Sequence, residues 1–171
     1  VWPALRADYP DATWKIVGKN PCQRVQALAQ QPGIEVTGQV EDIRPWAHEA
    51  AAVVLPMRCG GGIKNKLLEA AAMGKPILAS PRAVRGLEEP PGLICRGPAQ
   101  WRQAIERVWS QPDLARTMGQ SARSWAQQRH TWPHAAQQLL QKIPRFALRL
   151  QPVESKLHQR TSCRNATGRA A

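Results

Sequence analysis

The stretch Leu55–Ser80, LPMRCGGGIKNKLLEAAAMGKPILAS, holds the residue types most suited to chemistry. An apolar run gives way to three consecutive glycines, then to a segment of helix-forming composition, then to a second apolar run. Gly60, Gly61 and Gly62 permit positive φ and let backbone approach a ligand with no Cβ in the way. A helix starting near Ile63 aims its unpaired N–H groups and the positive end of its dipole at whatever occupies that loop, which makes an anion the natural occupant. Arg58, Lys64 and Lys66 flank the loop, and no acid appears before Glu69, so a diphosphate could be met by side chains as well as by backbone.

On the predicted helix Ile63–Met73, Ile63, Leu67, Ala70, Ala71 and Gly74 share one face suited to packing on a sheet. Lys66, Glu69 and Met73 follow another face at i, i+3, i+7 spacing. Glu69 therefore lies one turn behind the anion-facing end, where a carboxylate could accept both hydroxyls of a ribose. The competing interpretation is an exposed helix acid paired with Lys66 or with water, as surface charges commonly are. For the glycines the competing interpretation is a flexible turn.

These residues need a scaffold, and the rest of the chain supplies the pattern of one. Thr13–Gly18, Ile34–Gly38, Ala52–Pro56, Pro76–Ser80 and Gly92–Cys95 are short, near-continuously apolar runs, as in parallel strands covered on both faces. Gln23–Gln31, Asp42–Ala50 and Ile63–Met73 read as crossover helices, and Gly74 before Lys75-Pro76 stops the third. Pro45 suits a first helical turn, and Asp42 suits a helix cap. After Pro98 only helices are predicted, over Ala99–Ser110, Pro112–Gln128 and Pro133–Lys142. The expected fold is a doubly wound α/β parallel sheet, and in such sheets ligands bind beyond the carboxyl ends of the strands, where the glycine loop falls.

In this setting the sequence resembles the nucleotide-sugar-binding domain of glycosyltransferase family 4, the group 1 retaining transferases with the two-domain GT-B architecture. The resemblance rests on Ile16-Val17-Gly18, on Gly33-Ile34 with Val36–Asp42, on Ala52–Pro56 and on Leu68–Ile77, and it spans residues 1 to about 143. The wording Gly62-Ile63-Lys64-Asn65-Lys66 is most similar to sugar transferases of bacterial exopolysaccharide and protein-sorting clusters. The resemblance implies that Glu69 holds the ribose hydroxyls, as the second glutamate of the family's Glu-x7-Glu motif does. It also implies that the Gly62 and Ile63 amides lie near the donor phosphates and that the Gly38–Val40 loop lies beside the base. The first glutamate of the motif would fall at Gly61, which has no side chain, so the donor sugar is unread.

The donor-binding set is thus Arg58, Gly61, Gly62, Ile63, Lys64, Lys66 and Glu69 with Gly38 and Val40, and no catalytic residue is assigned. The opening VWPALRADYPDA reads as the end of an amphipathic helix with no start methionine, so the expectation is a domain that is truncated at its N-terminus. The resemblance places the acceptor site, for a saccharide or a lipid-linked acceptor, in a separate N-terminal lobe. It implies transfer with retention from a nucleotide diphosphate sugar as donor substrate, with positive groups rather than a metal stabilising the leaving diphosphate. No cofactor is expected.

Bulk properties bound these expectations. The 171 residues suffice for one domain with some excess, but not for two lobes. The net charge of +12 suits polyanionic partners without choosing among them. Much of it comes from residues 145–171, where Arg145, Arg149, Lys156, Arg160, Arg164 and Arg169 face only Glu154; residues 1–144 carry 18 basic and 11 acidic residues, leaving +7. From Pro144 onward apolar periodicity fades, and the segment reads as a disordered basic extension or a shifted reading frame. Cys22, Cys59, Cys95 and Cys163 are too dispersed for a zinc site or a disulfide framework. No run approaches the roughly 20 apolar residues of a membrane span. The expected location is cytoplasmic, with peripheral contact at the inner membrane face left open.

His130 and His134 have zinc-compatible spacing but no third ligand nearby. The seven tryptophans are scattered, as in core or interhelix packing, so no nucleic-acid partner is expected. Two rival functions stand beside the transferase. A nucleotide-sugar epimerase would share the loop and the glutamate but act without an acceptor. The other is a non-catalytic polyanion-binding module for nucleic acid or anionic membrane; a steep salt dependence lost on trimming residues 144–171 would mean that the tail, and not the domain, is the binder.

Overall fold

The structure is a computed structural model that describes residues 1–62 and 64–143. Residues Val1–His134 form one compact unit; a second begins at Ala135, and its described part is the rest of the last helix and Ile143. The expectations for Ile63 and for the basic tail fall outside the described residues.

Five parallel strands and their crossovers follow the predicted order. Helix α1 (Trp2–Asp8) leads to β1 (Trp14–Val17), and α2 (Gln23–Gln26) continues as a 3-10 turn (Ala27–Gln30) into β2 (Ile34–Gly38). Then come α3 (Arg44–Glu49), β3 (Val53–Leu55), α4 (Asn65–Ala72) and β4 (Ile77–Ala79). A four-residue helix α5 (Pro81–Val84), absent from the sequence expectation, precedes β5 (Leu93–Ile94). Helices α6 (Pro98–Ser110), α7 (Pro112–Arg129) and α8 (Trp132–Lys142) complete the described chain.

The strands form two parallel ladders, β1 with β2 and β3–β4–β5 with β4 central. Successive side chains of a strand point to opposite faces, and β4 shows the result. Ile77 and Ala79 pack into one core cluster with Leu67, Ala70 and Ala71 of α4 and Ala122 and Trp125 of α7. Leu78 faces the other, with Cys95 and with Ala104 and Val108 of α6. All three β4 side chains are fully buried, as a central parallel strand requires.

The same alternation places α1 and α3 on opposite faces of β1. The Trp14 ring lies 5.8 Å from the Trp2 ring of α1. The next side chain, Lys15, pairs with Glu49 of α3 at 2.8 Å and sits 5.1 Å from the centre of the Trp46 ring. From α1, Asp8 pairs with Arg102 of α6 and Tyr9 stacks edge-on against Trp109 at 5.2 Å, so α1 ties the first ladder to the helices of the second. Lys75, at the approach to β4, donates to the carbonyls of His48 and Ala50 at the end of α3, at 2.7 and 3.0 Å.

Local signals account for the element ends. The cap residue of α3 is Ile43, not the expected Asp42, and it makes no side-chain cap bond; Asp42, one residue earlier, accepts the Arg44 N–H at 2.9 Å, and Pro45 occupies the first turn. Gly74, at φ +67°, stops α4 in a left-handed conformation. Most tryptophans pack as expected, but Trp132 is 89% exposed at the start of α8.

Candidate functional site: a cationic hollow at the carboxyl end of β3

Beyond Leu55 the chain leaves the sheet through Pro56 and Met57 into the glycine loop. Gly60 has φ +111° and Gly62 φ +80°, so both need glycine for the backbone itself. Gly61 does not: its φ lies outside that region, and a Cβ there would meet nothing within 4 Å. Space and strain would therefore permit a side chain at Gly61. Lys64 occupies the cap position of α4, and no side chain caps the first turn, which leaves its leading N–H groups available.

The loop, the start of α4 and the β4–α5 turn enclose an open hollow of about 280 Å³. Its polar lining comes from Cys59, Lys64, Asn65, Lys66 and Arg82, with no carboxylate, while Leu55, Met57, Leu67 and Ala83 form the apolar remainder. The arrangement combines a helix N-terminus, flexible-φ backbone and three cations. It can hold an anion of diphosphate size. A larger hollow of about 460 Å³ lies between Tyr9–Ala12 and Trp109–Ser110. That one is lined by Asp8 and Asp11 and precedes β1, so both its charge and its place at the amino end of the strand disfavour a phosphate ligand.

Of the residues singled out from sequence, Gly61, Lys64 and Lys66 line the first hollow; Arg58, Gly62 and Glu69 do not. Glu69 is exposed on α4, and its carboxylate has no hydrogen-bond or ion-pair partner among the described residues. It makes no salt bridge with Lys66, so its carboxylate is free for a ligand. Gly38, at φ +72°, ends β2 and accepts the Gly18 N–H at 3.1 Å; it and Val40 stand at the carboxyl end of the first ladder, outside the hollow.

Sequence reasoning missed Ser80 and Arg82. The signal was present: Ser80-Pro81 after an apolar run is a helix-start signature, with serine as cap and proline first in the helix. The structure confirms that local form, since Ser80 Oγ accepts the Ala83 N–H at 3.3 Å. Among the described residues no group of three His, Cys, Asp or Glu could hold a metal ion, and no helix is long and apolar enough to cross a membrane.

The family model for group 1 glycosyl transferases matches residues 1–111. The chain belongs to that family. The group 1 domain is also similar to a solved sucrose-phosphate synthase from Thermosynechococcus elongatus, with 25% identity and a TM-score of 0.65. The match covers 81% of this chain but 39% of that one, so the chain spans well under half the length of its solved relative. The shared fold is the α/β architecture of GT-B glycosyltransferases, with parallel strands and flanking helices. No curated protein sequence matches the group 1 domain.

Proposed function

We infer that this domain is the donor-binding part of a retaining glycosyltransferase that moves a sugar from a nucleotide diphosphate sugar to a saccharide or lipid-linked acceptor. Cell-surface polysaccharide synthesis is the setting that the wording of the glycine loop favours. The observation that carries the donor reading is the hollow itself, with an uncapped helix N-terminus, the positive-φ Gly60 and three cations; outside it, one turn further along the same helix, stands a carboxylate with no side-chain partner among the described residues.

The division of labour follows from charge. The diphosphate rests over the start of α4, where backbone N–H groups, Lys64 and Lys66 offset its charge and the negative charge that develops on it as the glycosidic bond breaks. Glu69 accepts the ribose hydroxyls. The acceptor and the groups that complete catalysis belong to the other lobe of a two-lobed transferase, so the domain alone binds donor nucleotide without turnover. Membrane contact, where it occurs, would be peripheral.

Calorimetry with uridine, guanosine and adenosine diphosphates tests this reading. The domain should bind one of them, and Glu69→Ala should weaken that binding by about 1–3 kcal/mol through the lost ribose hydrogen bonds. Identical heats for wild type and Glu69→Ala would remove the ribose assignment, and no heat with any of the three would remove the donor site.

A further inference from the structure

Arg82 is exposed, forms no ion pair among the described residues, and yet lines the hollow together with Lys64 and Lys66. Its backbone is held around Ser80, whose N–H donates to the Leu55 carbonyl at 3.1 Å and whose carbonyl accepts the Ala83 N–H at 3.0 Å; the Ser80 hydroxyl adds two further bonds. Ser80 Oγ donates to the Met57 carbonyl at 2.8 Å and accepts the Ala83 N–H at 3.3 Å. The first bond ties the end of β4 to the segment that leads into the glycine loop; the second reinforces the main-chain bond that closes the turn presenting Arg82. A rotamer-rich cation is thereby mounted on a fixed backbone at the rim of an anion site.

Helix geometry orients Arg82 relative to the rest of the nucleotide. Residues two apart on an α-helix are separated by about 200°, so Glu69 projects from the side of α4 nearly opposite Leu67. Leu67 and Ala83 share a core cluster, and both line the hollow. Arg82 therefore stands on the Leu67 side and Glu69 on the other. A nucleotide whose ribose meets Glu69 and whose phosphates run over the start of α4 brings its outer phosphate toward Arg82.

Resting on the donor-site reading above, we propose that Arg82 binds the phosphate distal to the ribose and that Ser80 is the positioning residue that holds it there. A guanidinium suits this place, because its planar fork can take two oxygens of one phosphate at once.

The test is calorimetry with the di- and monophosphates of uridine, guanosine and adenosine on wild type, Arg82→Met, Arg82→Lys, Ser80→Ala and Lys66→Met, each checked for an unchanged fold by circular dichroism. Arg82→Met should lower affinity for the diphosphate about ten- to hundredfold, the loss of a charge-assisted hydrogen bond, and leave the monophosphate within about twofold. Arg82→Lys should recover part of the loss. Ser80→Ala should reduce the diphosphate-to-monophosphate preference in the same direction but by less, a ratio that a merely structural change would not move. Diphosphate binding unchanged in Arg82→Met but weakened in Lys66→Met would overturn this assignment and leave the donor site standing. An equal loss for both nucleotides in Arg82→Met would overturn the distal-phosphate role. A wild type that binds no nucleotide would remove the donor site and this inference together.

Discussion

Three adjacent glycines are not equivalent. Gly60 and Gly62 answer to the backbone, each at a φ that side chains rarely adopt, whereas Gly61 has neither strain nor crowding to explain it. That distinction is invisible in the string GGG. That Lys64 and Lys66 stand at the start of a helix, and Glu69 one turn along it, was legible from the spacing. Arg82 was not, because its partnership with the loop is made by tertiary proximity across two strand ends. Cysteines show the same divide. Cys95 is 2% exposed, and burial pushes its thiol above the ordinary range, whereas Cys22 and Cys59 are exposed. Iodoacetamide at pH 8 should therefore label Cys22 and Cys59 in the folded protein and spare Cys95, with peptide mass spectrometry as the readout. The raised thiol also fixes a sign. Above about pH 9 the unfolded chain gives up this proton before the folded one does, so the contribution of Cys95 to stability is lost as pH rises through the folded value. A Cys95→Ala variant should show a shallower loss of stability from pH 8 to pH 10.5; an equally steep one would count against the burial argument.

At the scale of elements, the five strands and most helices were readable because apolar runs and turn residues reported them directly. Except for β2, which fills its run Ile34–Gly38, the strands are shorter than the apolar runs; β3, for instance, is Val53–Leu55 within Ala52–Pro56. Helix α5 escaped because four residues carry no periodicity, and the 3-10 continuation of α2 because composition does not separate it from α-helix. One contact between elements could not have been read from the pattern. Gly119, inside α7, meets Gly74 at the end of α4, and a Cβ on Gly119 would fall 2.1 Å from the Gly74 carbonyl oxygen. The missing Cβ of Gly119 thus sets the separation of α4 from α7, and the start of α4 lines the hollow. Gly119→Ala should destabilise the domain by about 1–3 kcal/mol, the usual cost of overpacking, as measured by denaturant unfolding. It should also weaken diphosphate binding by shifting α4, whereas Gly61→Ala should leave stability within about 0.5 kcal/mol.

The whole molecule departs from its sequence pattern in one respect: the strands divide into two ladders that share no backbone pairing among the described residues. Sequence pattern specifies strands but not which edges meet, so this division was not legible. The burial data agree with it. Ile16, Val17, Val53 and Val54 are apolar yet only half-buried, whereas every side chain of β4 is inaccessible. The two ladders are joined through α1, with its Asp8 pairing to Arg102 and Tyr9–Trp109 contact, and through Lys75 reaching back to the end of α3. The charge of the chain is likewise a property of the whole; among the described residues, Lys64, Lys66 and Arg82 gather part of it at the hollow beside β3.

A seam held by a few side chains transmits cooperativity poorly, since exposed ion pairs contribute little and are screened by salt. The two halves of the domain should therefore loosen at different thresholds. In deuterium-exchange mass spectrometry, peptides spanning Trp14–Val17 and Ile34–Gly38 should take up label well before those spanning Ile77–Ala79, and the interval should widen in high salt. Simultaneous uptake at every salt concentration would mean that the halves melt as one. If they part, the half that carries the hollow stays ordered while its companion frays, so that protection at the hollow and thermal robustness become separately adjustable properties.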